Sequence, residues 1–277
     1  ECKMAQKEYH IRDYIRQRFF PHMWCPGCGH GIVLGSLLRS VYQLGLEKND
    51  IVMTSGIGCS SRISGYVDFH SLHTIHGRAL AFATGVKMSL PHLKLIVPMG
   101  DGDALAIGGN HFIHAARRNI DITAIVMNNR IYGMTGGQYS PLSGSGTMAT
   151  TAPYRTIDSD FNIVDLAASS GASFVARSTV YHATECIDLI KRAISHEGFS
   201  VVEILSQCPT HFGRRNKQGS AADMMELYKS GTVKKGSKKL EKDPSLIQRG
   251  IFVDNEQAPE YCREYERIVE KAMKGNG

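Results

Sequence analysis

Apolar segments of strand length alternate with longer amphipathic segments through most of the chain, and this alternation limits the possible folds more than any other feature. The segments with the length and composition of strands are 51–55, 93–99, 122–127, 173–176 and 200–205. The segments with the apolar spacing of helices are 31–44, 78–90, 108–118, 163–170 and 182–196. Repeated βαβ units place helices on both faces of a sheet. The sequence therefore predicts an α/β fold with a mostly parallel sheet.

Two regions interrupt this pattern. Residues 133–153 are rich in Gly, Ser and Thr, which predicts a long ordered loop or lid. After Gly213 the apolar spacing weakens, and residues 214–243 carry nine Lys or Arg against four Asp or Glu. We expect one domain over residues 1–213 and a basic C-terminal arm over residues 214–277, with a short helix at 261–273.

Composition narrows the class of protein. The chain has 277 residues and a formal net charge of +6, and its basic arm suits a solvated tail or an acidic protein partner better than nucleic acid. No apolar run approaches the roughly 20 residues that span a bilayer, and the first residues lack the apolar stretch of a signal peptide. Seven cysteines are too few for a disulfide scaffold at this length. We expect a cytoplasmic protein whose spaced cysteines bind a metal or take part in catalysis.

A pair of polar motifs follows two of the predicted strands. Gly-Asp-Gly-Asp occupies 100–103, and Asn-Asn follows some 25 residues later at 128–129. In a parallel sheet both motifs lie at the carboxyl ends of strands, where ligands bind. The Asp101 carboxylate and the Asn129 side-chain carbonyl are hard ligands suited to Mg²⁺, and the glycines let backbone N–H groups approach phosphate. Either motif alone would be a turn, but the two together predict a site for Mg²⁺ and a diphosphate.

Four cysteines form a second candidate site. Cys25 and Cys28 belong to a Cys-Pro-Gly-Cys hairpin, which fits a zinc half-site or a redox dithiol as well as an iron–sulfur cluster. Cys59 and Cys208 each follow a predicted strand, so both fall on loops at the same end of the sheet. Four thiolates that meet there suit a [4Fe–4S] cluster. The cysteines that we do not expect to be ligands are Cys2, Cys186 and Cys262.

The two sites together resemble a known family. The 100–129 pairing resembles the thiamine diphosphate motif, and with the four cysteines it resembles the beta subunit of 2-oxoacid:ferredoxin oxidoreductases. The likeness covers about the first 215 residues, and its motifs are Trp-Cys-Pro-Gly-Cys-Gly at 24–29, Gly-Asp-Gly-Asp-Ala at 100–104, Ile-Gly-Gly-Asn-His at 107–111 and Asn-Asn-Arg-Ile-Tyr-Gly-Met-Thr-Gly-Gly-Gln at 128–138. The resemblance implies a thiamine diphosphate-binding fold with thiamine diphosphate, Mg²⁺ and a [4Fe–4S] cluster.

The resemblance also implies roles that side-chain chemistry alone does not identify. The backbone carbonyl of Ile131 would be the third protein ligand of Mg²⁺. The residues implied to line the diphosphate are Gly102, Asp103, Gly133 and Met134. The residues implied to contact thiamine are Ile57, Gly58, Cys59, Ser60 and His76.

The activity implied by the resemblance is the coenzyme A-dependent oxidative decarboxylation of a 2-oxoacid, or its reverse, with electrons passing through the cluster to ferredoxin. An alpha subunit that carries the pyrimidine-binding domain would complete the site, in an alpha-beta heterodimer or a dimer of heterodimers. Arg62, three residues after Cys59, could bind the second carboxylate of 2-oxoglutarate, which favours that acid over pyruvate or a branched-chain 2-oxoacid. A solvated or structural Arg62 is the alternative.

Two other functions remain open from the sequence. A nonoxidative thiamine diphosphate enzyme would carry the same 100–129 pairing without a cluster. A zinc-stabilised interaction module would use the four cysteines for Zn²⁺ and leave the acidic motif as a turn. The metal and thiamine content of the purified protein would separate these alternatives.

Overall fold

Strands made almost entirely of buried residues form the centre of the computed structural model, which describes residues 10–275. The strands are β1 (Ile51–Ser55), β2 (His70–His73), β3 (Lys94–Gly100), β4 (Thr123–Asn128), β5 (Phe174–Thr179), β6 (Ser200–Leu205), β7 (Thr232–Lys234) and β8 (Ile247–Asp254). They form one sheet in the order β2-β1-β3-β4-β6-β5-β8-β7. Pairing is parallel from β2 through β5, β8 runs antiparallel to β5, and β7 is parallel to β8. The predicted α/β class with a mostly parallel sheet is confirmed.

Helices cover both faces of this sheet. They are α1 (His30–Gln43), α2 (Ile63–Tyr66), α3 (Ala79–Ser89), α4 (Asp101–Leu105), α5 (Gly109–Arg118), α6 (Ile163–Ser169), α7 (Ala183–Ser195), α8 (Ala221–Ser230), α9 (Lys239–Lys242) and α10 (Tyr261–Met273). Shorter helical turns lie at Ile11–Tyr14, Gln17–Phe19, Lys48–Asp50, Ser60–Arg62 and Pro209–Gly213.

The central strand β4 explains why the sheet needs two helical layers. Ile125 and Met127 point into a core shared with α1 and α7, whereas Ala124 and Val126 point into a second core shared with α3, α5 and α6. Successive side chains of a strand face opposite sides, so a strand that is apolar throughout must be covered on both. This double burial fixes the strand ends, and with them the loops that carry the predicted site.

All five predicted strands and all five predicted helices are present, with bounds that differ by a few residues. The predicted long loop is also present, because residues 129–162, all of them described, contain neither a helix nor a strand. The strands that the sequence analysis missed are β2, β7 and β8. The residues of β2 and β8 are exposed or only partly buried, and β7 is three residues long, so none of them has the buried apolar run that identified the others.

Residues after Gly213 contribute to the same sheet. Strand β8 forms hydrogen bonds with β5, and α10, as predicted, is a helix whose Cys262 lies in the core beside α3. The division into a domain over 1–213 and an arm over 214–277 stays a prediction. No helix within residues 10–275 is long and apolar enough to cross a membrane. Cys2 lies outside the described residues.

Candidate active site

A cavity of about 390 Å³ opens where β1, β3 and β4 end. Loops that follow parallel strands meet at one edge of the sheet, which is where ligands bind in open α/β folds. The predicted residues that line the cavity are Ile57, Gly58, Cys59, Ser60, His76, Asp101, Gly102, Asp103, Asn129, Ile131, Gly133 and Met134. The fold therefore brings together every residue predicted for thiamine diphosphate and Mg²⁺.

Asp101 is the first residue of α4, and it is 2% exposed. The Ser140 hydroxyl, from the long loop, donates a hydrogen bond to its Oδ2. Burial raises the pKa of the Asp101 carboxyl to about 7, and the Glu203 carboxylate adds to that effect. A bound cation would offset the cost of this buried negative charge. The surroundings of Asp101 therefore fit a metal ligand.

Asn129 and Ile131 belong to a tight turn after β4. Ile131 N–H donates to the Asn129 Oδ1 at 3.3 Å, and Arg130 between them has a φ of 60°, in the left-handed region. Arg130 N–H donates to the Asn128 Oδ1 at 3.1 Å, and the Ser143 hydroxyl donates to the Arg130 carbonyl at 2.6 Å. A non-glycine residue keeps this backbone conformation only where its surroundings hold it. The turn is therefore fixed from several directions.

Asp103 ties three loops together at the other side of the cavity. Its Oδ1 accepts from Gly77 N–H at 2.7 Å and from Ile57 N–H at 3.4 Å, and it lies 2.8 Å from His76 Nδ1. The Asp103 carboxylate raises the pKa of His76. Asp103 Oδ2 is buried and has no hydrogen-bond partner among residues 10–275. Its carboxylate is thus directed at the 56–57 and 76–77 loops, which leaves its backbone as the part that could meet a diphosphate.

Two glycines on the cavity wall lie against neighbouring side chains, and one of them leaves no room for a Cβ. A Cβ on Gly102 would lie 2.2 Å from Tyr132 Cζ, and the Tyr132 hydroxyl donates to the Gly102 carbonyl at 3.2 Å. A Cβ on Gly133 would lie 3.4 Å from Cys59 Sγ and 3.7 Å from Cys208 Sγ. Gly133, on the cavity wall, therefore lies beside two of the four predicted cysteines.

The four predicted cysteines lie close together, and all have free thiols. Burial raises the pKa of Cys28 to about 12, and Cys208, Cys59 and Cys25 each add to that effect. Burial also raises the pKa of Cys59 to about 11, with contributions from Cys208 and Cys25. Thiols that oppose one another's ionisation fit a centre that supplies compensating positive charge.

The hairpin that carries Cys25 and Cys28 is bound to the loop that carries Cys208. Gly29 N–H donates to the Gln207 carbonyl at 3.2 Å, and the Gln207 side-chain N–H donates to the Gly27 carbonyl at 3.1 Å. In the described part of the chain, no group of three or more His, Cys, Asp or Glu side chains could hold one metal ion. Ligands of a [4Fe–4S] cluster bind different irons and need not meet at one point.

Arg62 does not line the cavity. It ends the helical turn Ser60–Arg62 and is exposed. Its charge is close enough to Cys59 to oppose the rise in the pKa of that thiol. Binding of a substrate carboxylate by Arg62 stays a prediction.

Sequence reasoning did not identify several residues around the cavity. His30 lines it, burial lowers its pKa to about 4, and its Nδ1 lies 2.9 Å from Ser206 Oγ. Tyr132 also lines it, and Ser140 reaches Asp101 from the long loop. The sequence did contain one indication that His30 lies near the site, because His30 directly follows the Cys-x-x-Cys-Gly hairpin. Ser140 had no such signal, since its contact spans 39 residues.

Comparison with protein families gives a match over residues 56–204 to the thiamine pyrophosphate enzyme C-terminal TPP-binding domain. The matched region includes Asp101 and Asn129, and it excludes Cys25, Cys28 and Cys208. The chain therefore carries a thiamine diphosphate-binding domain.

Curated relatives match over two thirds of the chain or more, and two of them match over nearly all of it. The 2-oxoglutarate synthase subunit KorB of Methanothermobacter marburgensis is 47% identical, over 98% of this chain and 96% of that protein. The subunit of the same name from Archaeoglobus fulgidus is 46% identical, over 95% and 96%. The 2-oxoacid:ferredoxin oxidoreductase subunit beta of Saccharolobus solfataricus is 45% identical, over 68% and 62%.

A solved structure has the same fold over the same length. The 2-oxoglutarate:ferredoxin oxidoreductase from Magnetococcus marinus, with 2-oxoglutarate, coenzyme A and succinyl-CoA bound, superposes with a TM-score of 0.86 at 34% identity. The superposition covers 98% of this chain and 92% of that chain.

Proposed function

The chain belongs to the family of 2-oxoacid:ferredoxin oxidoreductase beta subunits, and we propose that it is the thiamine diphosphate-binding subunit of an enzyme that oxidises 2-oxoglutarate. The reaction joins the decarboxylated acid to coenzyme A, giving succinyl-CoA and CO₂, and passes the electrons to ferredoxin, or runs in reverse. We choose 2-oxoglutarate as the substrate because the relatives and the solved structure are named for that acid.

The observation that carries the proposal is the cavity at the ends of β1, β3 and β4. Asp101, Asn129 and Ile131 lie on its wall, together with Gly102 and Gly133. We propose that the Asp101 carboxylate, the Asn129 side-chain carbonyl and the Ile131 backbone carbonyl hold Mg²⁺, which in turn holds the diphosphate. Thiamine diphosphate, when bound, supplies the carbanion that attacks the 2-oxo carbon and the ring that accepts the electron pair left by CO₂.

The protein's own contribution at the reacting end would come from His76 and Asp103. Asp103 raises the pKa of His76 and contacts its Nδ1, so Nε2 is the ring nitrogen left for a ligand. A protonated His76 in the cavity could donate a hydrogen bond to an oxygen of the 2-oxoacid. Closure of the cavity by a partner subunit would exclude water and strengthen this contact.

We propose that Cys25, Cys28, Cys59 and Cys208 hold a [4Fe–4S] cluster. Cys59 lines the cofactor cavity, and its Sγ lies near the position of a Gly133 Cβ, as does that of Cys208. This arrangement would leave a short path from the substrate to the cluster, which when bound carries single electrons. The four neighbouring thiols favour the oxidative enzyme over a nonoxidative thiamine diphosphate enzyme, because a nonoxidative reaction does not require an iron–sulfur cluster.

An alpha subunit would close the cavity. Ile57 and Met134 line it and expose 39% and 43% of their surface, although large apolar side chains usually lie against other protein. We propose an alpha-beta heterodimer or a dimer of heterodimers in which the partner covers this side, with ferredoxin as the electron acceptor. The cytoplasmic location stays a prediction.

Calorimetric titration of the purified complex with thiamine diphosphate in the presence of Mg²⁺ tests the metal site. Asp101→Ala and Asn129→Ala should each reduce the affinity at least tenfold, because each removes a ligand of the ion that holds the diphosphate. Asp188→Asn, on the exposed face of α7, is the control and should bind as the wild type does. Unchanged affinity in both cavity variants would remove Mg²⁺ from these residues.

A further inference from the structure

A buried charge inside β6 sits behind the cofactor cavity. Glu203 is 1% exposed, and every other residue of this strand apart from Ser200 is apolar. One of its oxygens accepts from Arg177 Nε on β5 at 2.6 Å, and the other accepts from the Asn128 side-chain N–H at 2.8 Å. Three neighbouring strands are thus joined by side chains.

Stability alone does not account for this group. Replacing a buried ion pair by apolar residues of similar volume is often neutral or stabilising. A role other than stability would therefore explain why a glutamate occurs in this otherwise apolar strand between β4 and β5. Its contact with Asn128 supplies one, since Asn128 is the first residue of the Asn-Asn pair.

The contact fixes which way the Asn128 amide faces. Glu203 can only accept hydrogen bonds, so it selects the N–H₂ side of the amide. The Asn128 oxygen is then turned to Arg130 N–H, at 3.1 Å. That bond helps to hold Arg130 in its left-handed conformation, and the same turn places Asn129 and Ile131 on the cavity wall.

We propose that Arg177 and Glu203 are positioning residues that set the Asn128 amide and thereby the turn that presents Asn129 and Ile131 to Mg²⁺ and the diphosphate. This inference rests on the proposed function of the cavity. Neither Arg177 nor Glu203 lines the cavity, so both would act only through Asn128.

The variant Glu203→Gln tests the orientation. An amide at 203 would turn its oxygen to the Arg177 guanidinium, because that group only donates. Its N–H₂ would then face the Asn128 N–H₂, and Asn128 would flip and present a donor to Arg130 N–H. Affinity for thiamine diphosphate with Mg²⁺ should fall about tenfold, the effect of losing one or two hydrogen bonds.

The double variant Arg177→Met with Glu203→Gln separates the positioning role from a general loss of stability, because the two predict opposite changes in cofactor affinity relative to the single variant. Without the guanidinium, the Gln oxygen is free to accept from Asn128 and restore its orientation. The double variant should therefore bind more tightly than the single variant, although it loses two groups instead of one.

Glu185→Gln is the matched control. Glu185 pairs with Arg249 and accepts from the Ser178 hydroxyl at 2.8 Å. Arg249 is as buried as Arg177, and Glu185 is partly buried where Glu203 is fully buried. A hydroxyl can accept as well as donate, so an amide at 185 keeps both partners. This variant should bind the cofactor as the wild type does.

The measurement is calorimetric titration of the purified apo complex with thiamine diphosphate and Mg²⁺, alongside thermal unfolding. Wild-type affinity in Glu203→Gln, or a double variant no better than the single one, would overturn the positioning role. Asn129→Ala separates this failure from that of the proposed function. If Asn129→Ala also binds normally, the metal site itself is wrong and the inference falls with it; if only Asn129→Ala is impaired, the metal site stands and the positioning role alone is refuted.

Discussion

Gly108 offers a sharp test of how closely the loops around the cavity are packed. A Cβ at this position would lie 2.3 Å from the Asp103 carbonyl oxygen, 3.0 Å from that of Ala104 and 3.1 Å from that of Gly77. All three are backbone atoms, so no side-chain rotation can relieve the contact. The next residue, Gly109, begins α5, and a Cβ there meets nothing within 4 Å.

The variants Gly108→Ala and Gly109→Ala differ by one position, and their effects on the stability of the fold should have opposite signs. Gly108→Ala must push α4 and the Gly77 loop away by about 0.7 Å at the closest contact, and overpacking of this kind costs about 1–3 kcal/mol. Gly109→Ala adds a methyl group to open space in the first turn of a helix, where alanine is favoured over glycine by up to about 1 kcal/mol. For a chain of this size 1 kcal/mol corresponds to roughly 2–4 °C in melting temperature.

Thermal unfolding followed by circular dichroism measures both effects, and titration with thiamine diphosphate measures the consequence for the site. Gly108→Ala should lower the melting temperature by roughly 2–12 °C and weaken cofactor binding, since Asp101 and Asp103 belong to the displaced helix. Gly109→Ala should keep or raise the melting temperature and bind the cofactor normally. Equal melting temperatures and affinities in the two variants would refute the packing that places α4 against the Gly77 loop.

Two further predictions concern the cluster and the substrate. Replacing any one of the four proposed cluster cysteines by Ala should remove the iron and the visible absorbance of anaerobically purified protein, whereas Cys186→Ala and Cys262→Ala should retain both; a cluster that survives loss of Cys208 would exclude that ligand. Arg62→Ala should lower kcat/KM for 2-oxoglutarate roughly ten- to a hundredfold and affect pyruvate far less, because only 2-oxoglutarate has a second carboxylate to leave unpaired. Steady-state assays with both acids check this, and equal losses would assign Arg62 to the loop or the cofactor.

The sequence predicted those parts of the fold and the site that depend on local pattern. Strands such as β4 and β6 are buried on both faces and mostly apolar, so their ends, and the loops that follow them, can be located from composition alone. Asp101 and Asn129 follow such strands directly, which is why both were found and why they meet in one cavity. The strand β2 is exposed at the edge of the sheet and carries no comparable apolar signal.

Residues that act through tertiary contacts could not be found in this way. Ser140 is separated from Asp101 by 39 residues, and Glu203 is separated from Asn128 by 75. No periodicity links positions so far apart, because their contact depends on the order of strands in the sheet. Glu203 did leave a local trace as a charged residue within an apolar strand, yet only the neighbouring β4 and β5 show what the charge binds.

The two asparagines of the pair therefore have different surroundings, although they are adjacent and identical in the sequence. Asn129 lines the cavity, whereas Asn128 faces away from it and bonds to Glu203. Both side-chain oxygens also accept a backbone N–H two residues ahead, from Arg130 and Ile131 respectively. Asparagine is suited to such turns because its short side chain reaches the backbone and tolerates tight conformations. If the proposed metal site is right, a pair of adjacent asparagines lets one residue hold the turn through Glu203 while the next presents its oxygen to the metal ion, so that one site needs two of them.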